Sequence, residues 1–150
     1  MANETKKSNE QDVPTISQEL LSRIKISKPL APDLFSSVAY DVVDSISNKK
    51  SESNKNEKEK INSSTQIRRF FNELVLWQDK VGFDEEQFKQ AEPFIQMIRA
   101  KVAYAKSRKY VDVNFLEVMN RLIPQIKDTE TLNNAKLFFE ALIGFKKAFE

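Results

Sequence analysis

Two glycines in a chain of 150 residues constrain this fold more than any motif in it. A β-sandwich or barrel reverses direction about every 8 to 12 residues, and its tight turns draw on glycine, proline and asparagine. With two glycines and five prolines the chain lacks that punctuation, whereas helices need breakers only at their ends. The expected class is therefore all-α. At 40% hydrophobic content the length serves one ordinary core, so a compact bundle of about five helices is the natural solution.

Apolar periodicity places the helices. Residues 1–12 are polar, show no such period and are expected as a disordered tail. A short helix capped by Thr15 or Ser17 and carrying Leu20, Leu21 and Ile24 should stop before the Lys28-Pro29 and Ala31-Pro32 steps. Leu34, Phe35, Val38, Ala39, Val42, Val43 and Ile46 then recur at spacings of three and four, an amphipathic helix. The stretch 47–60 contains no apolar residue, so it cannot enter a core and is expected as a flexible linker. The linker is expected to end at residue 62. It should leave the preceding helix loosely tethered.

Beyond the linker, Ser63-x-x-Gln66 has the spacing of a capping box for a helix reaching Val81, where Gly82 ends it. Asp84 and Gln87 repeat that pattern. Pro93 predicts a break, with one helix up to about Ala91 and a longer one from Pro93 to Lys109. Further helices are expected over about 112–123, stopped by Pro124, and from Asp128 or Thr129 to the end. The segmentation is a tail over 1–12, a helical segment over 13–46, a linker over 47–62 and a main bundle over 63–150, forming one domain with 33–46.

Composition excludes much chemistry. The chain has neither cysteine nor histidine, so no disulfide, thiol nucleophile, Ser-His relay or conventional zinc site is expected. Asp84, Glu85 and Glu86 fall in a first helical turn, where capping and the helix dipole account for them. No catalytic residue, metal or cofactor is expected. No stretch approaches the roughly 18 to 20 apolar residues of a membrane span, and the start MANETKKSNEQ is polar, so a cytoplasmic protein without a membrane contact is expected.

The net charge of +2 is mild, so distribution must carry any argument for nucleic acid. Between Glu92 and Asp112 the chain reads PFIQMIRAKVAYAKSRKYV, with five cations and no acidic residue. At about 100° per residue, Phe94, Ile98, Val102 and Ala105 form a buried arc. Met97, Lys101, Tyr104 and Arg108 fall along one border of that arc, and Arg99, Lys106 and Tyr110 along the other. Two cations and a ring at i, i+3 and i+7 suit successive phosphates with a sugar or base beside the ring. A second candidate is the start of the helix at Gln66, Arg68 and Arg69, where the Gln66 amide and a guanidinium could hold a phosphate or a ribose 2′-hydroxyl. Docking the two helices would merge both patches. Trp77 shares an arc with Phe70 and Val81 and is expected as a core anchor rather than a stacking platform. The bland alternative is a solvated basic face, with Arg68 and Arg69 paired to Glu73 or Glu85.

Residues 65–72 (TQIRRFFN) and 101–108 (KVAYAKSR), at this separation and with these helical flanks, resemble the small-subunit family of the type III-A (Csm) CRISPR effector complex. The similarity covers about 64–149 and, more loosely, 30–31 and 33–48. The resemblance implies a helical bundle without nuclease activity, stacked in several copies inside a ribonucleoprotein of antiviral defence. It would contact the guide RNA and the target RNA through their backbones, beside the repeated backbone subunit and the large polymerase-like subunit. By position in the two segments, Gln66, Arg68, Arg69, Lys101, Tyr104 and Arg108 are the implied RNA-binding residues. The long 47–60 linker departs from the compact pattern of that family. Two other classes compete: a helical protein-protein adaptor that binds no RNA, and a carboxylate-dependent nuclease, for which the acidic residues are too scattered.

Overall fold

The computed structural model describes residues 13–47 and 61–149. The expected tail over 1–12 and residues 48–60 of the expected linker lie outside them. Among the described residues there is no strand. The helices are α1 (Gln18–Ser22), α2 (Ala39–Ile46, entered through a π-helical turn at Leu34–Val38), α3 (Ser64–Val81), α4 (Glu85–Gln96), α5 (Ile98–Ser107), α6 (Val113–Leu122) and α7 (Thr129–Phe149). With α4 and α5 taken as one rod bent at Met97, five helices of eight residues or more build the bundle among the described residues, and the all-α expectation stands.

The caps follow the sequence chemistry. Ser63 Oγ accepts the Gln66 amide at 3.2 Å, and Asp84 Oδ1 accepts those of Glu86 and Gln87. Asp112 Oδ1 accepts the Phe115 amide at 3.0 Å. Each satisfies a donor that the first turn leaves without an intrahelical partner. Glu85 does more than complement its own helix dipole. Its carboxylate accepts from the Thr129 hydroxyl at 2.6 Å and from the Thr129 amide at 3.3 Å, capping the start of α7. Gly82 ends α3 at φ +58, a conformation that a Cβ disfavours.

Three helix predictions need correction. Pro93 lies inside α4 rather than at a start, with Ala91 and Ile95 buried on either side of it. The bend falls at Met97, because Gln96 is held to the Ile123 carbonyl at 2.9 Å and the buried row passes from Ile95 to Ile98. As a result Phe94, expected in the buried arc, is 50% exposed. Finally, α5 stops at Ser107, short of Lys109. Arg108 caps it, Lys109 takes φ +64, and the amides of Lys109 and Tyr110 return to the carbonyls of Lys106 and Ala105. That is a Schellman closure with lysine where glycine is usual.

One apolar cluster spans the described chain from Ile16 to Ile143. Its centre is a run of rings joining three helices: Phe70 to Phe115 at 5.7 Å, Phe115 to Phe139 at 6.3 Å, and Phe139 to Phe71 at 5.9 Å. Truncating a fully buried ring such as Phe115 or Phe139 to alanine costs about 3–5 kcal/mol. The helix at 39–46 is not loosely tethered, since Ala39, Val42 and Val43 are completely buried. Asn62, inside the span expected as linker, is also fully buried. It donates to the Ile46 carbonyl, accepts the Asp112 amide and gives its own amide to Tyr110 O. The N-terminal segment is stitched on by side chains of α6 and the turn after it: Asn114 to the amides of Thr15 and Ile16, and Gln125 to Ile24 and Ile26.

Candidate nucleic-acid interface

Packing α3 beside α5 opens a cleft of about 450 Å³ between them. Gln66, Arg69, Phe70 and Glu73 line it from α3; Met97, Ala100, Lys101, Tyr104, Ala105 and Tyr110 line it from the bend, α5 and the turn beyond. The position of these side chains follows from the buried faces. Ile67, Phe70 and Leu74 point α3 inward, which leaves Gln66, Arg69 and Glu73 along its rim. Ile98, Val102 and Ala105 do the same for α5, setting Lys101 and Tyr104 across from them. Residues more than thirty positions apart in sequence thus share one surface.

Of the six residues singled out from the sequence, four line this cleft: Gln66, Arg69, Lys101 and Tyr104. Arg108 stands next to it, donating from Nη1 to Tyr104 Oη at 2.9 Å. Its guanidinium lies 5.8 Å from the Tyr104 ring and 5.9 Å from the Tyr110 ring. The hydrogen bond to Tyr104, and then the nearby phenol oxygens, hold the Arg108 guanidinium above its ordinary pKa. Arg68 faces elsewhere. It lines a second, more polar cleft of about 310 Å³ with Ser64, Thr65, Asn72, Ile143 and Lys147, and Arg69 borders both.

Other expectations shift. The Gln66 amide, expected to hold an anion, is taken by Ser63 Oγ. The anticipated pairing of Glu73 with an arginine is replaced by an ion pair with Lys101, at 2.6 Å. Glu85 serves Thr129 instead of an arginine. Tyr110, assigned to the opposite border, reaches the cleft because the chain reverses at Lys109 rather than continuing as helix. Asp112 as a helix cap two residues later was the available sign of that reversal. Trp77 is partly buried against the core, as expected, and stacks on the exposed Phe94 at 5.8 Å.

Among the described residues no group of three or more acidic side chains converges as a metal site would require. Nor is any described helix long and apolar enough to cross a membrane. The fold defines a helical-bundle protein, with a cleft between α3 and α5 that Arg69, Lys101, Tyr104 and Tyr110 line together with Glu73 and apolar side chains. The family model described as Csm2 Type III-A matches residues 39–150. The chain belongs to that family, the small subunit of the type III-A CRISPR effector (Csm) complex. Neither curated proteins nor solved structures gave a match.

Proposed function

We propose that this small subunit is a non-catalytic RNA grip, stacking in several copies and holding guide and target RNA by their sugar-phosphate backbones. The observation that carries this reading is the cleft itself, in which two distant basic segments supply Gln66, Arg69, Lys101 and Tyr104 to one groove, with Arg108 clamped at its edge. Cations and polar groups on rigid helices bind phosphate and ribose without reading sequence, as a subunit on a guide of any sequence must. Arg68 would meet the same strand from the second cleft, across Arg69. The 63–150 bundle with 33–46 would act as one domain in the cytoplasm, beside the repeated backbone subunit and the large polymerase-like subunit. A protomer with few phosphate contacts binds weakly alone and gains by avidity in the assembly.

The test is Lys101→Glu and Arg69→Glu in the full chain, with binding measured on unrelated RNA sequences at several salt concentrations. Each should weaken binding uniformly and flatten the salt dependence by about 0.7 per lost contact. Unchanged affinity in both at low salt would sink the reading. The competing adaptor draws on the exposed apolar side chains Leu76, Phe83 and Phe94, which suit protein contacts. A purified complex lacking nucleic acid, with partner binding preserved after RNase treatment, would favour it.

A further inference from the structure

A groove that held only phosphates would carry no fixed anion, yet Glu73 lines this one, with Arg69 one turn before it on α3 and Lys101 across the cleft. Its side chain is 19% exposed against 45% for Lys101, so the carboxylate is the more enclosed partner of the pair. Oε2 accepts from Lys101 at 2.6 Å, while Oε1 has no hydrogen-bond partner among the described residues and is not sealed from solvent. A carboxylate only accepts. Phosphate oxygens are anionic acceptors as well, so none can settle at Oε1. What fits there is a donor carried beside phosphates. Along a nucleic-acid backbone that donor is the ribose 2′-hydroxyl, which DNA lacks.

We infer that Glu73 makes this cleft select RNA over DNA: Oε1 accepts the 2′-hydroxyl of a bound ribose, while adjoining phosphates meet Arg69 and the remaining donors of Lys101. This rests on the RNA-grip reading and adds to it a determinant of sugar identity. The carboxylate acts in two directions. It favours RNA through a charge-assisted hydrogen bond, and it repels the phosphates of a strand that brings no hydroxyl to offset the repulsion. Gln66, Tyr104 and Tyr110 also bring acceptor oxygens to the cleft, but these are neutral and do not penalise a strand without the hydroxyl. The Gln66 amide, expected from the sequence to hold that group, is engaged by Ser63 Oγ.

The experiment compares single-stranded RNA with 2′-fluoro RNA of the same sequence, both titrated into the full chain at low salt. The second strand keeps phosphates and bases but cannot donate at the sugar. RNA should bind about fivefold to tenfold more tightly. Glu73→Ala removes acceptor and charge together, so the 2′-fluoro strand should gain affinity and the ratio should fall to near one. Glu73→Gln keeps a neutral acceptor, so both strands should bind more tightly and the ratio should fall partway. If Glu73→Ala perturbs folding, that partial fall decides. Equal affinity of the natural chain for the two strands, with Lys101→Glu weakening both, overturns the sugar reading and leaves the backbone grip intact. A ratio unchanged in both variants also overturns it and leaves Glu73 only a competitor for Lys101. Failure of the natural chain to bind either strand removes both readings.

Discussion

Lys101 Nζ lies 2.6 Å from Glu73 Oε2, so a carboxylate of α3 already engages one donor of the ammonium that the proposed phosphate contact would use. RNA binding through Lys101 would therefore compete with this carboxylate. An exposed pair of this kind is worth about 0.5–1 kcal/mol. Glu73→Gln removes the competitor and keeps the size of the side chain, so affinity for RNA should rise about twofold to fivefold, read by fluorescence anisotropy at low salt. Unaltered affinity would mean that Lys101 does not meet the strand.

Arg108 has a different design, since its partners are neutral. Tyr104 accepts its Nη1 proton, and two rings flank its guanidinium, which fixes the direction of the plane without cancelling the charge. Arg108→Lys preserves charge but loses the planar fork, so RNA affinity should fall although net charge does not. Tyr104→Phe removes only the hydrogen bond and should weaken binding less than Tyr104→Ala. Equal affinities for Arg108→Lys and the natural chain would show that charge alone matters.

Asn62 joins three parts of the fold. With φ +58 and no exposure, it holds the end of α2 through Ile46 O, the start of α6 through the Asp112 amide, and Tyr110 through its own amide. Asn62→Ala leaves a carbonyl and an amide without partners and forces alanine into the left-handed region, at a cost of about 3 kcal/mol. Asn62→Gly meets the same hydrogen-bond loss without the steric term and should be about 1 kcal/mol milder. Urea denaturation orders the two variants.

Most of this fold was legible because the helices obey their local rules. Ser63, Asp84 and Asp112 stand where the caps must be, and Ile67, Phe70 and Leu74 keep the spacing of one buried face. The failures are tertiary. Pro93 reads as a helix start, but its exposed position lets α4 carry it at the expense of one hydrogen bond, and Gln96 fixes the bend elsewhere by reaching a carbonyl in the turn after α6. The composition of 47–62 gave no sign that its last residue is buried, because the partners of Asn62 lie on either side of it in sequence, one of them fifty residues away. In the cleft, the two basic segments were visible on helical arcs. Glu73 and Tyr110 were not, since one depends on which helix docks opposite and the other on a reversal at Lys109.

That reversal yields the last prediction. Lys109 sits at the left-handed position of the Schellman closure, φ +64, where its Cβ is disfavoured by about 1 kcal/mol. Lys109→Gly relieves that strain and should stabilise the fold by about this amount, partly offset by the greater freedom of glycine in the unfolded chain. Lys109→Val should do the opposite, because a β-branched residue resists positive φ, and the closure that turns Tyr110 back toward Arg108 would loosen. Two measurements separate stability from binding. In urea Lys109→Gly should be the most stable of the three proteins and Lys109→Val the least. In RNA titrations Lys109→Val should bind more weakly than Lys109→Gly, although both variants lack the same cation. Equal binding by the two would show that the placement of Tyr110 does not matter to the groove.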